Sequence, residues 1–234
     1  MNDPERERGP TTGSEWLIAC GFLLLVIVLL AAEIASDYSP RKFSALFIVL
    51  FWIPLLALHE AGHAVVAQMM KWRVEKIVIG MGKVVRRFQL GPASIELRML
   101  PIEGFVRCRP SRIAWPQIES GLIYLAGPGV EAIVAVVVWG ALGTDQMFNL
   151  SNDYGTIALQ SLAIAAASHV VMSLIPFAID KPQGRVVSDG LGIVLSLVRP
   201  NSYYAAMMDV TPLSVARVWN VSYDSVNWGK RGRG

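Results

Sequence analysis

Five consecutive residues, His59-Glu60-Ala61-Gly62-His63, have the types and the spacing for metal chemistry. Two histidines four apart on a helix lie about 40° apart around its axis, so both imidazoles can reach one ion. Glu60 follows the first histidine and can take a proton from water at that ion without itself being a ligand. A catalytic zinc site takes three protein ligands and leaves one position open. The chain has one other histidine, His169, so the third ligand is His169 or a carboxylate. Asp180, Asp189 and Glu131 are the carboxylates to weigh. Asp189 precedes a glycine at the start of an apolar segment, a place an aspartate also occupies as a helix N-cap. From the residues alone, Asp189 and His169 both stay open as third ligand.

The elements that must carry this motif are set by composition. Of 234 residues, 53% are hydrophobic and only 17% charged, where a soluble domain carries roughly 25% charged residues. The apolar residues come in long runs, so hydrocarbon replaces water as the solvent of much of the surface. Four runs are long enough to cross a bilayer, at about 16–35, 43–70, 118–142 and 156–177. The motif lies in the second half of the second run, where His and Glu are costly and mark function by default. Pro54, little more than one turn before His59, removes a backbone hydrogen bond and predicts a kink. Residues 71–116 read instead as β-hairpins, short alternating segments broken by Gly80, Gly82, Gly91-Pro92 and Pro101. Residues 178–188 are polar and turn-rich. An Asp-Gly segment at about 186–198 contains a run too short to span, which reads as re-entrant, interfacial or packed on the bundle. The expected architecture is a multi-span α-helical membrane protein of about four transmembrane helices, a re-entrant or interfacial helix and a small β-rich insertion. Residues 1–15 and 200–234 flank this 16–199 core.

Basic residues orient the chain. With the N-terminus inside, the inner segments hold two, ten and seven Lys or Arg, and the outer ones two and none. By the positive-inside rule both termini, the β region and the motif face the cytosol. The net charge is only +3, so the clusters are topology signals, with some of them resting against anionic headgroups, and no nucleic-acid partner is expected. Cys20 and Cys108 suggest neither a disulfide framework nor a cysteine zinc site. The segment before the first run does not have the pattern of a cleavable signal peptide. Trp16, Trp72, Trp115 and Trp139 fall near span ends, as interfacial anchors do.

Several short motifs occur in order: HEAGH in a membrane span, Pro101-Ile102-Glu103-Gly104-Phe105-Val106, Ala126-Gly127-Pro128, Leu174-Ile175-Pro176 and Ser188-Asp189-Gly190. Together they resemble the site-2 protease family of intramembrane zinc metalloproteases, over about Phe43 to Leu197. The resemblance implies one zinc ion per chain, with His59, His63 and Asp189 as ligands and Glu60 as general base. The sequence departs from that family twice. Glu131 stands near where an asparagine often follows the Gly-Pro, and Ser173 stands where another often precedes the Leu-Ile-Pro segment. Glu131 is then a buried carboxyl that donates a hydrogen bond or, by preference, an interhelix contact. His169 reads better as an interhelical hydrogen-bonding residue than as a ligand.

The activity this implies is hydrolysis of peptide bonds in membrane-anchored proteins, in or at the edge of the bilayer. A helical substrate must unwind before attack, and an exposed β edge can pair with the unwound segment. The resemblance implies such an edge, and Gly104 with the strands around Ile95 to Val106 offers one. Residues 181–184 and the β region are candidates to line a water path. The partners expected are the membrane-anchored substrate, the bilayer and a regulatory membrane protein. Two other classes compete: a silent family member that binds membrane proteins, for which Glu60 has no purpose, and a metal-handling transporter, which needs more ligands along a path.

Overall fold

The computed structural model describes residues 13–181 and 184–209. The N-terminal residues before Gly13, the tip of the turn expected at 181–184 and the tail beyond Asp209 lie outside the described residues. In chain order the elements are α1 (Gly13–Ser36), a 3-10 turn (Pro40–Lys42), α2 (Phe43–Met69), β1 (Trp72–Leu90), β2 (Ala93–Pro110), α3 (Pro116–Phe148), α4 (Tyr154–Leu174), β3 (Ala178–Lys181), β4 (Gly184–Val187), α5 (Asp189–Val198) and α6 (Asn201–Asp209). Among the described residues three helices are long and apolar enough to cross a membrane: Pro40–Met69, Pro116–Phe148 and Tyr154–Leu174.

The burial pattern of α2 is the inverse of a water-soluble helix. Val49, Leu50 and Ile53 are each more than half exposed, while His59, Glu60 and His63 are buried. Apolar side chains outside and ionisable ones inside is the arrangement hydrocarbon demands. The helix runs unbroken through Pro54. In α3 the non-helical Gly143 (φ 75°, ψ 161°) interrupts the helix one residue beyond the expected end of that span. Helix α4 stops at Leu174, because Ile175 precedes Pro176 and is held extended (φ −62°, ψ 121°).

Residues 72–110 form the β region. The segment 76–79 pairs on both sides: Ile77 faces Val106 and Ile95, Val78 faces Phe105 and Glu96, and Ile79 faces Gly104 and Leu97. Beyond the irregularity at Gly80, the rest of β1 folds back to pair Val84 with Arg98 and Leu90 with Ala93. Gly80 has φ +96°, and a Cβ there would lie 2.9 Å from the Arg98 and Leu100 carbonyls. Ile95 is therefore interior to the sheet, paired with both Ile77 and Phe88, which corrects the expectation of an edge at that residue. The strand carrying Gly104 to Val106 pairs on one side only among the described residues. Glu96, 1% exposed, lies 3.2 Å from Lys76 Nζ, 2.5 Å from Arg87 and 3.0 Å from Arg98. Burial opposes its ionisation, but hydrogen bonds from Arg98, Lys76 and Arg87 prevail and hold its pKa at about 2.

The apolar core is small. One cluster joins the end of α2 to the sheet and α6, through Ala64, Ala67, Trp72, Val74, Ile77, Ile95 and Tyr204. Trp72 is buried there, donating Nε1–H to Glu119 Oε2 at 2.8 Å. It is not an interfacial anchor, whereas Trp115 and Trp139 are exposed. A second cluster, Leu55 with Ala165 and Ala166, joins α2 to α4. Two elements were not foreseen: the β3–β4 hairpin, which occupies the segment read as turn-rich, and α6, within the segment read as tail.

Candidate metal centre

Helix α2 carries His59 and His63 on its buried face, one turn apart, with Nε2 atoms 3.0 Å from one another. Each imidazole is fixed at its other nitrogen. His63 Nδ1 lies 2.6 Å from the Ile123 carbonyl, which can only accept, so Nδ1 carries the proton. His59 Nδ1 lies 3.0 Å from Glu131 Oε2 and donates to it where that carboxyl is ionised. In the neutral rings the two Nε2 lone pairs therefore face each other, an arrangement that calls for a cation between them.

The third group arrives from α5. Asp189 Oδ2 is 2.9 Å from His59 Nε2, and Oδ1 is 3.3 Å from His63 Nε2. The N-cap alternative for Asp189 is resolved by its neighbour. Ser188 caps α5, its Oγ accepting from Leu191 N at 3.3 Å and from Phe177 N at 3.0 Å while donating to the Ile175 carbonyl at 2.7 Å. Asp189 is left in the first turn with its carboxylate turned to the histidines. Gly190 makes this possible, since a Cβ there would collide with the Leu174 carbonyl at the end of α4.

One donor atom from each of His59, His63 and Asp189 falls within 4.8 Å of the others, as one ion requires. The surroundings are cut to the same shape. A Cβ at Gly127 of α3 would meet His63 Nε2 and His59 Nε2 together, so only glycine lets that helix cross at this depth. Glu60 is buried, and its Oε2 has no hydrogen-bond partner among the described residues. An unpartnered carboxylate oxygen in apolar surroundings is costly unless a ligand, water or substrate meets it. The donor set and the orphaned oxygen both fit a zinc ion.

The remaining expected residues divide. Gly104 belongs to the site: a Cβ on it would lie 2.7 Å from Glu60 Cδ and Cγ, so the one-sided strand passes directly over the Glu60 carboxyl. Glu131 is fully buried and joins His59 to His169, whose Nδ1 is 2.8 Å from its Oε1. Its two oxygens thus link α2 and α4 to α3, an interhelix contact. His169 is not brought to the metal donors. It bridges α4 to α3 and packs edge-on against Trp52, ring centroids 3.8 Å apart. The Ser173 hydroxyl is donated within its own helix, to the Val170 carbonyl at 3.1 Å. Asp180 falls on β3. Sequence reasoning missed two participants, the Ile123 carbonyl and the direct contact of Glu131 with His59. The signal for the second was present: Glu131 is four residues after Gly127 and shares its helix face.

Two histidines from α2, a helix apolar enough to cross a bilayer, and an aspartate from the short α5 converge beside Glu60, whose Oε2 has no partner among the described residues, and together form a candidate metal centre in a membrane-type protein. The profile of peptidase family M50 matches residues 46–227, and the chain belongs to that family, the site-2 protease family. A protein of Clostridium perfringens named "Putative zinc metalloprotease" is 37% identical over 112 residues, covering 44% of this chain and 33% of that protein. A Campylobacter jejuni protein carrying the same name is 28% identical over 155 residues, covering 60% and 41%. The matched regions span less than half the length of these relatives.

Proposed function

We propose that this chain is an intramembrane zinc endopeptidase that cleaves membrane-anchored proteins. The observation that carries the reading is the convergence of His59, His63 and Asp189 beside the unpartnered Glu60. His59 Nε2, His63 Nε2 and a carboxylate oxygen of Asp189 would hold one zinc ion. Bound there, zinc supplies Lewis acidity, polarising a peptide carbonyl and acidifying water. Glu60 accepts a proton from the attacking water at its free Oε2 and returns it to the nitrogen of the departing amine. Attack on the carbonyl carbon and cleavage of the C–N bond leave a carboxylate and an amine.

In this reading α1, α2, α3 and α4 are the four spans, α5 enters from the cytosolic side, and the basic β region and both termini lie in the cytosol. The distribution of Lys and Arg supports that orientation. The unwound substrate adds as a strand beside Gly104, whose free edge runs over Glu60; the one-sided pairing of that strand supports this placement.

The test compares wild type with Glu60→Gln in detergent or liposomes on a single-span substrate, measuring fragments and bound zinc. Cleavage lost with zinc retained is expected. Equal cleavage by both proteins, or no zinc in purified wild type, refutes the mechanism.

A further inference from the structure

The carboxylate of Glu131 is wholly buried where three helices meet, and its ion-pair partners among the described residues are two histidines, not Lys or Arg. Its two oxygens are shared between two imidazoles, Oε2 with His59 Nδ1 at 3.0 Å and Oε1 with His169 Nδ1 at 2.8 Å. His169 is in turn held by the Trp52 ring. A chain of contacts therefore runs Trp52–His169–Glu131–His59, ending on a residue that offers Nε2 to the metal donors. Of these, His59 is the one among the described residues whose donor atom joins the converging group.

We propose that Glu131 and His169 are positioning residues for the metal centre, with His169 acting through Glu131 rather than on the ion. This rests on the reading of His59 as a zinc ligand. Two effects follow from the geometry. Glu131 keeps the His59 proton on Nδ1, so that Nε2 presents its lone pair, and it makes the ring a stronger electron donor. His169 fixes the carboxylate, because with its second oxygen free Glu131 could rotate away from His59. In apolar surroundings that oxygen has few other donors to find. A glutamate with a histidine behind it thus takes the place where the family resemblance leads one to expect an amide.

The experiment measures zinc affinity of the full-length protein, stripped and reloaded in detergent, by competition with a chromogenic chelator. The visible spectrum of the cobalt-loaded protein is a second readout. Glu131→Gln is expected to weaken zinc roughly 10- to 100-fold. His169→Ala is expected to weaken it about tenfold, within the same range for such partners. His169→Asn keeps an N–H donor near the Nδ1 position and should recover most of the loss. The double variant Glu131→Gln/His169→Ala should bind no more than about twofold worse than Glu131→Gln alone, since one residue acts through the other. The cobalt bands should shift in both single variants. Each variant is first shown to be monodisperse, with the apo-protein far-UV spectrum of wild type; the Asn variant carries the test if the Ala variant does not fold. Wild-type affinity in His169→Ala, failure of His169→Asn to recover affinity, or additive losses in the double variant would overturn the proposal. Absence of zinc binding in wild type would instead overturn the metal-centre reading beneath it.

Discussion

Gly127→Ala tests the shape of the centre without removing a ligand. The added Cβ would lie 2.5 Å from His59 Nε2 and 2.6 Å from His63 Cε1, where ordinary contact begins at 3.4 Å. Either α3 retreats or the imidazoles rotate, by about 0.8–1.0 Å if nothing else yields, and overpacking of this size costs about 1–3 kcal/mol. Borne by the zinc-competent arrangement alone, that is roughly a 5- to 150-fold loss of affinity. Alanine also improves the helix, by about 0.5–1 kcal/mol relative to glycine, which offsets part of what the stripped protein loses as its imidazoles swing away from Glu131 and the Ile123 carbonyl. Gly129, two residues on in the same helix, has nothing within 4 Å of its virtual Cβ. Gly129→Ala is therefore the matched control, with the helix gain and no clash. Zinc affinity by chelator competition and thermal unfolding of stripped and loaded protein are the assays. Equal zinc affinity in the two variants would show that Gly127 does not shape the centre and would refute the reasoning.

Three further outcomes follow from the same geometry. Ser173→Ala removes only the local bond to the Val170 carbonyl, so cleavage should stay within about threefold; a loss of 100-fold or more is the size expected of an oxyanion donor and would place Ser173 in the reaction. The carboxyl of Glu96 is held at about 2, below its ordinary 4.5, so its contribution is complete above pH 4.5 and declines as pH falls toward 2; urea titrations across that window should show the slope in wild type and a weaker one in Glu96→Gln, and identical slopes would count against the cluster. Desolvation of the half-buried Cys108, with Glu75 nearby, pushes its thiol up to about 12, so in a Cys20→Ser background alkylation at pH 8 should be slower when folded than in denaturant, and equal rates in the two states would contradict the shift.

The motif was legible because both histidines and the glutamate lie within one helical turn, where spacing fixes direction. Asp189 was not legible that way. It lies 130 residues from His59, and its local context, an aspartate opening a helix, is equally that of a cap. The ambiguity ended only with the structure, in which Ser188 takes the capping role. The resemblance to a known family implied Asp189 as a ligand, and the structure brings its carboxylate to the two histidines; it could not place Glu131, where this chain departs from the pattern. The β3–β4 hairpin escaped because each strand has only four residues, too few for alternation to register. Helix α6 escaped for a different reason: it is held by Tyr204, buried and 6.2 Å from the Trp72 ring, a tertiary contact with no local signature.

In hydrocarbon, apolar burial gives little drive for one helix to leave lipid for another, so close packing and polar contacts must hold spans together. Here those contacts are the site. His59 and Glu131 join α2 to α3, His169 and Glu131 join α4 to α3, His63 and the Ile123 carbonyl join α2 to α3 again, and Asp189 ties α5 to α2. The apolar cluster between α2 and α4, by contrast, has only three fully buried members. Replacing His59 thus removes a proposed metal donor and also cuts links to two other helices, so its loss of activity would not by itself identify a catalytic function. Glu60 is the exception. Its Oε2 meets no partner among the described residues, so Glu60→Gln keeps the size of the side chain and cuts no bond made by that oxygen. Of the substitutions available inside this bundle, it most nearly separates the chemistry from the packing.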